Sequence, residues 1–314
     1  MKLLWKSLLL LLAAGLFFAI AGIVATWAPD QPVAALKARW APPPSQFIAV
    51  QGMQVHLRDE GPRDDPEPLV LLHGTSASLH TWDGWAAALR GQRRVIRVDL
   101  PGFALTGPQP QDDYSIDAYV RFVAALLDQL GVQRAVLAGN SLGGQIAWSF
   151  AAAQPQRVTR LVLVDAAGYD FASASVPLAF RIARLPMLAP LLEHTLPRGM
   201  VEGSVRNVYG DPAKVTPELV DLYYDMALRE GNRRALGLRM RQRLAVHPER
   251  IATLKLPTLI LWGGRDRLIP PDSARRFAQD IAGSRLVMFD DLGHVPHEED
   301  PARTVAAVKA FLGP

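Results

Sequence analysis

Hydrophobic and polar positions follow three regimes along the chain. In the first, every position from residue 8 to residue 25 is apolar or glycine, and no charge occurs from residue 7 to residue 29. A bilayer core takes roughly 20 apolar residues as a helix, so this stretch is long enough to span once. Trp5 and Trp27 bracket it as interfacial anchors would, with Lys2 and Lys6 on its N-terminal side. Two readings compete: a retained anchor over residues 1–28, or a signal peptide cleaved after Ala19-Ile20-Ala21. The apolar run continues past that site, whereas a signal h-region spans roughly 7–15 residues, which favours the anchor. Lys2 and Lys6 favour an inside N-terminus, against a weaker pull from Lys37 and Arg39. The body is then expected to be periplasmic or extracytoplasmic, tethered by one helix, or secreted if the segment is cleaved. Residues 29–45 carry Pro29, Pro32 and Pro42-Pro43-Pro44 and read as a semi-rigid spacer.

The second regime is an alternation of short apolar runs with amphipathic stretches. Runs at 47–50, 53–58, 69–72, 95–98, 135–138, 161–164, 258–261 and 285–289 predict strands. Most are continuously apolar, as strands buried on both faces are. Residues 82–90, 116–130, 142–153, 273–281 and 302–312 predict helices between them. Such alternation implies an α/β fold with a mostly parallel sheet covered on both sides. The first strands, joined by a tight turn at Gln51-Gly52, should be antiparallel.

The third regime, 168–255, has no strand signal and is punctuated by Pro177, Pro186, Pro190, Pro197 and Pro217. It reads as a helical cap inserted into a core made of 46–167 and 256–314. Leaving from the carboxyl end of a strand, it can roof the crevice where open α/β sheets bind ligands. Leu178, Leu185, Met187, Leu188, Leu191 and Leu192 are expected either to line an acyl pocket beneath the cap or to pack the cap on the core.

Composition excludes several classes. The 314 residues contain no cysteine, so there is no disulfide, thiolate metal site, iron–sulfur cluster or cysteine nucleophile. The 34 Lys+Arg exceed the 30 Asp+Glu by four, and residues 170–256, with 13 basic and 9 acidic side chains, carry an excess of that size. No basic run suggests nucleic acid. The excess fits a solvated helical surface or one held against anionic lipid.

The chemistry centres on Gly139-Asn140-Ser141-Leu142-Gly143, a G-x-S-x-G lying between a predicted strand and a predicted helix. A sharp strand-to-helix turn pushes Ser141 out at the top of the sheet, and the flanking glycines remove Cβ atoms that would clash. A serine hydroxyl needs a general base that a third group orients. His294 follows the last predicted strand and Asp266 the one before it. Both therefore sit on Ser141's side of the sheet. Asp165, after the preceding strand, is the backup acid; Asp99 is read as bracing a loop, and Glu298 and Glu299 as an acidic helix start. The backbone N–H groups of Thr75, after His73-Gly74, and of Leu142 are the expected oxyanion donors. His73 itself is read as structural. His294 and His297 lack a zinc-binding motif, and Gly139–Gly144 lacks a phosphate-loop lysine.

From about residue 47 to 312 the chain resembles the α/β-hydrolase superfamily. The resemblance rests on His73-Gly74, Asp99-Leu100-Pro101-Gly102-Phe103, Gly139-Asn140-Ser141-Leu142-Gly143-Gly144, Gly264-Arg265-Asp266 and Gly293-His294. It implies an eight-stranded sheet, a helical cap after the sixth strand, and neither cofactor nor metal. Ser141 disfavours the branches with an aspartate nucleophile. Meta-cleavage C–C hydrolases share the elbow, but many carry Trp after the histidine where this chain has Val295, and they use a cap arginine, for which Arg181 and Arg184 are candidates. The expectation is a serine hydrolase acting on apolar or lipid-derived carboxylic esters. C–C hydrolysis is the alternative, and a non-catalytic binding protein on the same fold is the rival from another class.

Overall fold

A computed structural model describes residues 2–170, 172–188, 191, 193–242 and 247–313. Eight strands form one sheet: β1 (Ser45–Val50), β2 (Met53–Glu60), β3 (Leu69–Leu72), β4 (Val95–Val98), β5 (Ala135–Asn140), β6 (Val158–Val164), β7 (Thr258–Gly263) and β8 (Arg285–Phe289). Their spatial order is β1-β2-β4-β3-β5-β6-β7-β8. β2 pairs antiparallel with β1 and β4, and every other pairing is parallel. The strands are continuous apolar runs because both faces are covered. In β3, Val70 and Leu72 join one hydrophobic cluster and Leu69 and Leu71 the other. The first cluster takes in Phe122 and Trp148, from helices α4 (Ile116–Gln129) and α5 (Leu142–Ala153), which follow α3 (Asp83–Leu89). The second contains Trp82 and Trp85.

The helix α1 (Lys2–Ala25) stands apart from this core, and none of its apolar span Trp5–Ala25 is buried. The stretch expected to be a spacer is instead folded onto the body. It carries α2 (Val33–Trp40), whose Leu36 is buried in the core. Val33, Leu36 and Trp40 recur at helical spacing on one face, a pattern the surrounding prolines hide. Trp40 Nε1 donates to Asp225 at 2.8 Å, and Gln31 exchanges backbone hydrogen bonds with Leu228 and Glu230.

Between β6 and β7 lie α6 (Leu178–Ala183), α7 (Arg198–Val208), α8 (Pro217–Leu228) and α9 (Asn232–Arg241), with no sheet strand among the described residues. After β7 come α10 (Asp272–Asp280), α11 (Pro296–Glu299) and α12 (Pro301–Leu312).

Candidate active site

The last residue of β5 is Asn140 and α5 begins at Leu142, so Ser141 alone makes the turn, at φ 54° and ψ −114°. That positive φ is strained for a residue with a side chain. The surroundings hold it there. Ser141 N–H donates to Val164 O, and its carbonyl accepts from Gln145 and Ala167. A Cβ on Gly139 would overlap the Gly143 carbonyl, so the turn requires glycine at that position.

His294 is fixed from both ends. Its backbone N–H donates to Val208 O at 2.7 Å, and its carbonyl accepts from Asn140 Nδ2 at 2.9 Å. Asn140 thus ties the end of β5 directly to the histidine loop. His294 Nδ1 lies 2.6 Å from Asp266 Oδ2, while Asp266 Oδ1 accepts from the N–H groups of Leu268 and Ile269. Accepting on all these bonds, Asp266 places the imidazole proton on Nδ1 and leaves Nε2 as the basic atom.

Ser141, His294, Leu142 and Thr75 all line one cavity of about 620 Å³. The hydroxyl of Ser141 makes no hydrogen bond among the described residues. Thr75 likewise makes none, and Leu142 opens α5, where first-turn N–H groups lack helical partners. His73 lies beneath this loop, accepting from Leu100 N–H on Nε2 and contacting Gly74 O through Nδ1; burial lowers its pKa and keeps it neutral.

A family model of the α/β hydrolase fold matches residues 67–301, most of the chain. The chain belongs to the α/β-hydrolase family. This hydrolase is 30% identical over 281 residues to the 2-hydroxy-6-oxo-2,4-heptadienoate hydrolase of Pseudomonas putida, covering 85% of the chain and 95% of that relative. Among solved structures it is similar to a meta-cleavage product hydrolase from Pseudomonas fluorescens (TM-score 0.74, 27% identity, 85% and 97% coverage). It is also similar to a membrane phospholipase A, with TM-score 0.72 and 26% identity over 99% of this chain and 98% of that one.

The hydrolase also holds a second carboxyl group at the site. Asp165, at φ 44° after β6, is fully buried, and its Oδ1 accepts from Gly263 N–H. Atoms of Asp165, Asp266 and His294 lie within 4.8 Å of one another. Burial and the charge of Asp266 raise the Asp165 pKa well above the carboxylate range, so Asp165 keeps its proton. The trio does not fit a cation, because Asp266 already accepts from two amides and the imidazole.

Glu298 and Glu299 do occupy the first turn of α11, and they act as braces, Glu299 buried and Glu298 half-buried. Glu299 accepts from the N–H groups of Gly210, Asp211 and Gly293, joining the end of α7 to the histidine loop. Glu298 accepts from Tyr209 and Tyr223, and burial raises its pKa. Asp99 braces its loop as expected, accepting from Leu79 and Leu105 N–H and from His56 Nδ1 at 2.7 Å. His56 Nε2 in turn lies 2.9 Å from Ser45 Oγ, a second Ser-His-Asp chain in the hydrolase. It lies off the cavity, and Arg58 Nε donates to the same hydroxyl.

Sequence reasoning missed Arg239. It lines the cavity, is 7% exposed, and has no carboxylate partner among the described residues. Arg184 also lines the cavity, whereas Arg181 does not. The cap leucines meet neither expectation. Leu178, Leu185, Met187, Leu188 and Leu191 neither line the cavity nor join a core cluster. Leu192 lies outside the described residues.

Proposed function

We propose that this hydrolase cleaves carboxylic esters of apolar, lipid-derived acids through an acyl-enzyme, with α1 anchoring it in a membrane. The observation that carries the reading is the 2.6 Å pair of Asp266 and His294, with His294 and Ser141 lining the same cavity. His294 Nε2 takes the Ser141 proton as Oγ attacks the carbonyl carbon, and Asp266 stabilises the imidazolium. The N–H groups of Thr75 and Leu142 receive the oxyanion, each worth about 2.7–4 kcal/mol in the transition state. Collapse expels the alcohol, protonated by His294. Water, deprotonated by His294, then attacks the acyl-enzyme and frees the acid.

Two further observations support the substrate class and the anchor. Phe180, Leu196, Val201, Leu236 and Met240 give the cavity a mainly apolar wall. The membrane phospholipase A relative aligns over nearly the whole chain, including α1.

One observation favours C–C hydrolysis of a dienoate as a second reading. The Arg239 guanidinium, which lines the cavity without a carboxylate partner among the described residues, is a fitting partner for a substrate carboxylate. A panel of nitrophenyl esters of graded acyl length, run beside 2-hydroxy-6-oxo-2,4-heptadienoate, separates the two. Turnover of the esters, rising with acyl length, is expected; turnover of the dienoate alone overturns the ester reading.

A further inference from the structure

The cap displays an apolar strip that stays exposed among the described residues. Leu178, Leu185, Met187, Leu188 and Leu191 are 55, 50, 92, 37 and 39% exposed. Large apolar side chains left exposed together within one short stretch of the cap mark a binding face.

The strip is pinned to the end of α1. Two residues past α1, Trp27 forms a bridge to Thr195 and its ring stacks on His194 at 5.3 Å. Ala28 N–H donates to His194 O, and Leu196 N–H to Thr26 O. The N–H groups of His194 and Thr195 both donate to Leu191 O, so the pinned turn and the strip share one residue. The apolar span Trp5–Ala25, 21 residues, rises about 1.5 Å per residue, or roughly 30 Å, the thickness of a bilayer core. Where this helix ends, the interface begins, and Trp27, two residues on, stands at that level with its contacts to His194 and Thr195. Arg181 and Arg184 are exposed beside the strip with no ion pair among the described residues, and complement anionic headgroups. Phe180, Arg184 and Leu196 of this same region form part of the cavity wall.

We propose that the 178–191 face of the cap docks into the surface of the lipid bilayer that α1 spans, so that substrate enters from the leaflet rather than from water. The proposal rests on the anchor reading of α1. It makes the cap a lipid-contacting wall, and explains why the strip is apolar although it neither lines the cavity nor packs on the core. It also selects esters that partition into lipid.

The absence of native cysteine makes site-directed labelling clean. Met187→Cys, Phe18→Cys and Arg134→Cys are each prepared in the full-length chain, labelled with a nitrobenzoxadiazole probe, and placed in nanodiscs of phosphatidylcholine and phosphatidylglycerol. Doxyl-labelled lipids then report contact. Phe18 lies within α1, and Arg134 precedes β5, at the opposite end of that strand from Ser141. Quenching is expected at residues 18 and 187 and not at 134. Quenching at 18 but not at 187 overturns the docking and leaves the anchor standing. Quenching at neither overturns both. A blue shift at 187 without lipid quenching means that protein, such as a second copy, covers the strip, which also overturns the proposal. A functional arm uses Leu185→Glu with Met187→Glu. Turnover of a long-chain ester carried in the bilayer should fall about tenfold or more, with a short water-soluble ester unchanged. Equal losses on both substrates contradict lipid docking.

Discussion

Asp165 and Asp266, at the ends of the adjacent parallel strands β6 and β7, bring carboxylate oxygens within 4.8 Å of each other in a buried setting. Only Asp266 also holds the imidazole proton, at 2.6 Å, so the two acids have different roles. Asp165 stays neutral because burial and the Asp266 charge both oppose its ionisation. Unfolded, it ionises at ordinary carboxylate pH. Its raised folded pKa therefore drains stability as pH climbs above about 4. Asp165→Asn should remove that slope, so thermal melts recorded from pH 4 to 8 should show its advantage over the wild type growing with pH. Its kcat should change little, while Asp266→Asn should lose about 10⁴-fold. The reverse ranking would assign Asp165 as the triad acid.

Gly74 passes close to Ser141. A Cβ there would sit 2.8 Å from Asn140 Oδ1 and 3.2 Å from Ser141 Cβ, displacing the residue that links β5 to the histidine loop. Gly74→Ala should reduce kcat by about 10²-fold, since small displacements of reacting groups carry penalties of that order. Steady-state kinetics with a short ester, beside circular dichroism to confirm folding, reads this directly.

The buried Asp99 network should affect stability rather than chemistry. Burial opposes its charge, but His56, through charge and hydrogen bond, outweighs it and holds the pKa at about 2. A lowered folded pKa gives stability that is full above the ordinary value near 4 and is lost as pH falls through about 2. Asp99→Ala should destabilise by about 3–5 kcal/mol at pH 7, and urea titrations should show the deficit narrowing between pH 4 and 2. Ser45→Ala should keep normal turnover, because the Ser45-His56-Asp99 chain does not line the cavity that holds Ser141 and His294.

Arg239 discriminates between substrate classes. Charge-assisted hydrogen bonds contribute about 1.5–3 kcal/mol, so Arg239→Leu should raise KM for a carboxylate-bearing dienoate roughly 10- to 100-fold. With neutral esters KM should hold. Parallel Michaelis–Menten measurements on the two substrates test this.

These residues also mark what the amino-acid pattern discloses. The strands were legible because burial on both faces leaves runs such as Leu69–Leu72 wholly apolar. Ser141 was legible because the turn that exposes it tolerates only glycine at Gly139. The fold of 29–45 was hidden, since proline signals outweigh the single apolar face of α2. The exposure of the cap leucines was hidden because hydrophobicity records aversion to water and says nothing of what, if anything, covers the side chain. Glu299 and Arg239 were invisible for another reason. A lone carboxylate or guanidinium is ordinarily solvated, and only the tertiary structure gives one three backbone donors and leaves the other without a counter-charge.

The central claim is that Ser141 is a nucleophile activated by His294. Intact-mass analysis after exposure to a fluorophosphonate tests it most directly. The wild type should gain one adduct per chain, His294→Ala should label far more slowly, and Ser141→Ala should gain none. An adduct that persists in Ser141→Ala, or a wild type that stays unlabelled, would contradict the account.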